Sequence, residues 1–402
     1  MRTRHLGALL LAAAVLRGQV STRGGQIEAA PEKKSQRPMP EKTGRLEQAV
    51  RYIKERKILE WFTGGIGGFR VRLGGLVSGS GLALGPEYLR RDLAGGGVAV
   101  RGSVRASLKR YQLYEVELGF PKLAGEKAFV DLYAVHRNYP RIDYYGPGPE
   151  SQKSGRSDYR LEDEAYEATA GVKPVKPLRL GVTAGYLEVN VGPGADGRFV
   201  SAEKIFPPSG TPGIDRQADF WRVGAFAQYD WRDDAGRPRQ GGNYLVRYSR
   251  YADRRTGVNT FGRVELEAQQ YVPVFSERQV IALRGRSVLT DDAGRHRVPF
   301  YLQPTLGGSE DLRGFRRFRF YDDHMMVFNA EYRWASINGM DAAVFADAGK
   351  VFHRREQWNL KDLESAVGFG LRFNVDNKVF LRVDVGFSHE GFQVWVKLNN
   401  VY

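Results

Sequence analysis

The chain of 402 residues contains no cysteine, so neither a disulfide scaffold nor a thiolate metal site is open to it. Histidine is scarce as well. The six present, His5, His136, His296, His324, His353 and His389, are scattered without metal-ligand spacing, and polar wall or loop positions account for them. No glycine-rich nucleotide or nicotinamide motif occurs, and Ser309 and Ser388 stand outside any nucleophile elbow. The sequence therefore offers no catalytic, cofactor or metal constellation. Also lacking is a mature apolar stretch of the ~20 residues that a membrane-spanning helix needs. The run Leu6–Leu16 (LGALLLAAAVL) is too short for that role and follows a basic start, a pattern that predicts a secretory signal peptide over residues 1–20.

Residues 21–43 are rich in Gly, Gln, Lys and Pro and carry no period that could bury a face, which predicts a flexible linker. Over residues 44–63, Leu46, Ala49, Val50, Ile53, Leu59 and Phe62 fall near one helical face. A short amphipathic periplasmic helix is expected there, lying free, at an interface or across a barrel mouth.

From Gly64 the period becomes two and largely stays so. In VAVRGSVRASLKR, Val98, Val100, Val104 and Leu108 share one side while Arg101, Ser103, Arg105, Ser107 and Lys109 take the other. The same alternation recurs in sixteen segments between residues 68–77 and 391–400, most about ten residues long and separated by Gly, Asn, Asp or Pro turns. Tilted strands of about 9–11 residues cross a bilayer, and lipid cannot satisfy an open sheet edge. The pattern therefore predicts an all-β chain over residues 64–402: a closed antiparallel transmembrane β-barrel of sixteen strands in the outer membrane. Phe392, Val394, Val396 and Leu398 would meet lipid, whereas Arg382, Asp384 and Lys397 would line a polar lumen. Such a lumen also explains the charge. Lys plus Arg number 61 against 46 acidic residues, a formal +15 that would otherwise raise the question of nucleic acid.

Between the eleventh and twelfth predicted strands lies GGSEDLRGFRRFRFYDDHMMVFNAEYRW, Gly307–Trp334. The gap is too long for an ordinary hairpin, which predicts a folded functional loop. GGSEDLRGF resembles the loop signature of the Omp85 superfamily, the outer-membrane assembly and translocation barrels also called bacterial surface antigen D15 proteins. NAEYRW and FADAGKVF resemble the two strands that follow in that family. The resemblance implies a loop folded into the barrel whose arginine, Arg313, contacts wall carboxylates at Glu331 and Asp347. It places Gly314 and Phe315 beside that arginine and Gly307, Gly308 and Gly349 at loop or turn positions. Alternation agrees with the two carboxylates: Glu331 shares parity with Asn329 and Arg333, and Asp347 lies opposite Val344, Ala346 and Ala348. A guanidinium fork can satisfy two carboxylates at once, which lysine cannot. Gly314 would permit a tight or left-handed turn, and Phe315 could wedge the loop against the wall. Arg316, Arg317 and Arg319 match no fixed family position and are expected as loop or lumen charges.

The last strand resembles the family's C-terminal assembly signal, with Phe392, Val394, Val396, Leu398 and the terminal Tyr402. Relatives that assemble or secrete proteins carry POTRA modules ahead of the barrel, each too large to fit between the expected signal peptide and Gly64. The resemblance implies a non-enzymatic barrel that inserts or translocates a protein or lipid client, with a weak seam between first and last strands. The other reading is a passive channel or structural barrel plugged by the loop of residues 300–321. Implied partners are outer-membrane lipids, the outer-membrane assembly machinery during biogenesis, an exported client and a separate periplasmic protein, with no nucleic acid.

Overall fold

The computed structural model describes residues 66–77, 79–291, 297–335, 339–375 and 378–398. The expected signal peptide, linker and amphipathic helix, and Tyr402, lie outside the described residues. The strands in chain order are β1 (Phe69–Gly74), β2 (Ala83–Leu93), β3 (Val98–Ser107), β4 (Gln112–Lys122), β5 (Ala128–Tyr144), β6 (Ser157–Val172), β7 (Leu178–Pro193), β8 (Phe220–Asp230), β9 (Gly241–Asp253), β10 (Phe261–Val274), β11 (Ser276–Asp291), β12 (Thr305–Leu306), β13 (Phe320–Tyr321), β14 (His324–Ala335), β15 (Met340–Phe352), β16 (Glu364–Val375), β17 (Lys378–Ser388) and β18 (Gly391–Leu398). All but β12 and β13 form one sixteen-stranded antiparallel sheet in which each strand pairs with its neighbours in sequence order, a nearly closed barrel.

Alternation builds the wall. On β18, Phe392, Val394 and Val396 are exposed on one side, as Val344 is on β15, whereas Asp341, Ala343, Phe345 and Asp347 of β15 are buried on the other. A row of exposed valine and phenylalanine would be costly in water, but it costs nothing against hydrocarbon. Charged side chains are among those buried on the other face, as Arg372, Arg382 and Asp384 are.

β5 runs to Tyr144, 17 residues in all, well beyond the ten or so of most predicted segments. Pro140 hides the continuation because proline cannot join the ladder. The register with β6 shifts between Tyr139 and Ile142, a bulge that passes the proline without ending the strand.

Connections are short at one end of the barrel, as at Phe275 between β10 and β11. They are long at the other, where residues 194–219 join β7 to β8. Short periplasmic turns and longer extracellular loops are the rule for outer-membrane barrels, which assigns the two ends. The connection from β11 to β14 is on the long-loop end and carries its own hairpin, β12 against β13, with Thr305 opposite Tyr321 and Leu306 opposite Phe320. β1 and β18 end the strand order, and no ladder joins them among the described residues. The two strands nevertheless approach: a Cβ built on Gly74 would lie 3.9 Å from the Leu398 carbonyl oxygen.

Candidate functional site

The hairpin base fixes the start and end of the loop. Gly307 and Gly308 follow β12 with φ of 107° and 120°, and a side chain on Gly307 would come within 2.3 Å of the Arg316 carbonyl oxygen. Arg319 donates its backbone N–H to Leu306 at 2.9 Å, and Phe315 donates to Leu312 at 3.1 Å. Leu312, Phe315 and Phe320 bury with Leu306, Met325, Val327 and Val351, so the tip is wedged by apolar contact on both sides of its arginine.

Arg313 is 1% exposed. Its Nε and Nη2 donate to Asp347 Oδ2 and Oδ1 at 2.9 and 2.7 Å, a two-point fork, while Nη1 donates to Glu331 Oε2 at 2.7 Å. The Arg313 backbone N–H adds a further bond to Asp347 Oδ2 at 3.1 Å. The guanidinium carbon sits 3.4 Å from the centroid of the Phe345 ring, which shares the inner face of β15 with Asp347. Burying these ions is costly in itself, and only near-complete pairing offsets it.

Further groups complete that pairing. Glu331 Oε1 accepts from Arg333 Nε and Arg372 Nη2, each at 2.8 Å. Arg372 Nη1 also donates to Asp384 Oδ1 at 2.6 Å, and Arg382 Nε donates to Asp384 Oδ2 at 2.5 Å. Asn329 Nδ2 donates to Asp347 Oδ1 at 2.8 Å and to the Asp311 carbonyl at 2.7 Å. Arg382 and Asp384 were expected only as lumen charges. Arg372 carried no signal beyond its parity, because nothing in one sequence shows which strands stand opposite a loop.

The end strands hold the tip from the other side. Trp395 Nε1 on β18 donates to the Arg313 carbonyl, and Ser388 Oγ at the end of β17 donates to the Gly314 carbonyl, each at 2.8 Å. Lys397 Nζ donates to Glu310 Oε1; burial by itself pushes the Glu310 carboxyl up, but the ammonium of Lys397 beside it outweighs that and holds it below its usual range. Of the tight or left-handed turn expected at Gly314, the structure has the tight one, closed from Phe315 to Leu312, with no positive φ at the glycine. It is small because a Cβ there would lie 2.7 Å from both the Ala366 side chain and the Phe387 backbone. Gly386 on β17 faces the same constraint, with the Arg313 carbonyl oxygen 2.4 Å from its Cβ position. Gly349, by contrast, is no turn residue. It lies within β15 opposite Val327, where a Cβ would meet the Met326 carbonyl oxygen at 2.6 Å.

Arg317 and Arg319 extend the loop's contacts: Arg317 Nε donates to Asp143 Oδ2 at 2.7 Å, and Arg319 Nε donates to Glu390 Oε1 at 2.8 Å. At the base, Asp322, Asp323 and His353 come together, with His353 Nδ1 2.8 Å from Asp323 Oδ2. The intervening stretch of chain concealed this cluster in the sequence. Of the expected assembly-signal residues, Phe392, Val394 and Val396 are exposed on the outer face of β18 and Leu398 is half-buried.

Residues 98–389 match the Omp85 superfamily domain. The chain belongs to the Omp85 superfamily. Among solved structures it is similar to BamA from Haemophilus ducreyi lacking POTRA domains 1–3, at 16% identity and a TM-score of 0.62, covering 82% of this chain and 69% of that one. It is also similar to CdiB from Escherichia coli, at 12% identity and a TM-score of 0.57 over 83% of this chain and 63% of the other. CdiB from Acinetobacter baumannii follows at 12% identity and 0.51, covering 82% and 57%. The chain thus spans between 57% and 69% of the length of these structures. No curated protein matches. Membership places this Omp85 barrel in the bacterial outer membrane, in a family of assembly and translocation barrels.

Proposed function

We propose that this Omp85 barrel inserts or translocates a protein client at the seam between β1 and β18, with the Arg313 loop as an internal brace. The unpaired seam carries this reading. An edge strand offers a row of N–H and C=O groups that an extended client segment can join, as in strand addition generally. β18 has a full ladder to β17 alone among the described residues. On its free side its inner-face residues instead reach the loop: Trp395 to the Arg313 carbonyl and Lys397 to Glu310. Those contacts support the edge while leaving its ladder groups open. In this reading Arg313, Glu331 and Asp347 keep the brace in place, and the outer row Phe392, Val394, Val396 and Leu398 serves the barrel's own assembly.

Because the natural chain has no cysteine, a Gly74→Cys and Leu398→Cys pair gives a clean lock. A photo-crosslinking residue at Val71 on β1 then reports client contact in living cells. Adducts to newly exported proteins are expected with the lock reduced and should disappear when it is oxidised. Adducts that persist unchanged through oxidation, or none in either state, would rule out seam-based client handling.

A further inference from the structure

At the short-connection end of the barrel, five arginines line one small void. Arg333 and Arg372 project from the inner faces of β14 and β16, and Arg278 from the start of β11. Arg237 and Arg239 come from the turn between β8 and β9, with buried Pro238 between them. That turn is built. Asp233 Oδ1 accepts the backbone N–H groups of Arg239 and Gln240 at 3.0 and 3.2 Å, and the Asp233 N–H returns a bond to the Gln240 carbonyl at 3.1 Å. Its tip is fastened to a distant wall. Arg237 Nε and Nη2 donate to Asp341 Oδ2 and Oδ1 at 3.0 and 2.6 Å, although β10, β11 and β14 separate β9 from β15 in the strand order.

Charge at this void is unbalanced. Asp341 is the sole carboxylate lining it among the described residues, and Arg237 forks onto both of its oxygens. Arg333 and Arg372 are engaged deeper, on Glu331. Arg239 and Arg278 have no carboxylate within ion-pair distance among the described residues, and Arg278 is exposed at the rim, where solutes can enter. Like charges gathered in a partly desolvated space oppose one another until an anion joins them. The void measures about 30 Å³. Since one water needs on the order of 10–15 Å³ on that measure, the space suits a single small oxyanion and excludes a chain segment. Arginine forks match the oxygens of phosphate especially well.

We propose that this periplasmic-mouth pocket binds a phosphoryl group, with Arg239 and Arg278 as its main ligands and the β8–β9 turn as its roof. The phosphoryl group belongs either to a lipid headgroup or to free phosphate. Occupancy acts on the loop site as well, because Arg333 and Arg372 line the pocket and also donate to Glu331.

The test uses full-length protein in non-ionic detergent and reads the temperature at which the compact gel species is lost. Sodium phosphate is titrated against sodium chloride at matched ionic strength, and phosphatidylglycerol against diacylglycerol in the micelle. An upward shift with phosphate alone assigns the free ion, and a shift with phosphatidylglycerol alone assigns the headgroup. In the Arg239→Gln/Arg278→Gln variant, half-saturation should rise by roughly a hundredfold, about tenfold for each lost charge-assisted contact. Lysine at both positions should recover part of the binding, and Arg91→Gln/Arg216→Gln, both exposed elsewhere, should bind as the natural protein does. No shift beyond the chloride and diacylglycerol controls, or an equal shift in the glutamine variant, overturns the proposal.

Discussion

Removing the Arg313 side chain is expected to fall unequally on its two carboxylate partners. Glu331 would keep Arg333 and Arg372, whereas Asp347 would keep only the Asn329 amide and the residue 313 backbone N–H. Loss of one partner from a buried pair costs roughly 3–5 kcal/mol, chiefly through the charge left behind. Arg313→Ala should sit near the lower limit, about 3 kcal/mol, because two guanidinium groups still serve Glu331 and water can enter the vacated space. The inequality is the stronger prediction. Adding Asp347→Asn removes the stranded charge and should recover about 1–2 kcal/mol. Adding Glu331→Gln should recover nothing, since it removes the negative charge that Arg333 and Arg372 still share and leaves both guanidinium groups without it. Arg313→Lys should fall between, keeping the charge but losing the fork. Urea unfolding of the barrel in lipid vesicles, followed by loss of the compact gel band, measures all of these. If Glu331→Gln rescues Arg313→Ala as well as Asp347→Asn does, the assignment of Asp347 as the dependent partner is wrong.

Two further predictions concern the loop's fit and its base. Gly386→Ala places a methyl group 2.4 Å from the Arg313 carbonyl oxygen and 2.8 Å from the Gly314 nitrogen, so the tip must withdraw. Trypsin should then cut after Arg316 and Arg317 at least tenfold faster while the barrel remains heat-modifiable, a fall in the loop's opening free energy of about 1.4 kcal/mol or more. Unchanged cleavage would show that the close approach is not what holds the tip. Burial pushes the Asp322 carboxyl, which faces Asp323 and His353, up from 3.8 to about 6. Because the folded value is the higher one, this contribution is fully present below the unfolded value and is lost as pH rises through the folded one. Asp322→Asn should therefore match the natural protein at pH ~4 and exceed it at pH ~7 by up to about 3 kcal/mol. Equal urea midpoints at both pH values would refute the burial effect.

What could be read in the sequence follows from what a period of two encodes. It assigns each residue to a face, so lipid-facing Val344 and inward Asp347 are distinguishable by parity alone, and sixteen repeats of the pattern suffice for the barrel. It does not encode which residues stand opposite across the lumen. Arg313, Glu331 and Asp347 were legible together only because three motifs occur in a fixed order that the family resemblance interprets. Gly349 shows the limit of that interpretation, since glycine marks both a turn and a close approach, and here it stands within a strand at a close approach. Arg237 and Asp341 had no motif to join them. Their meeting, 104 residues apart, depends on the accumulated registers from β9 to β15 and on a turn that folds over the mouth. Each register is set locally by its own hairpin and hydrophobic pattern, yet the position of one wall against another is their sum. An unmatched pair of arginines at such a place therefore has to be found in three dimensions, and its chemistry follows from charge balance rather than from any string of residues.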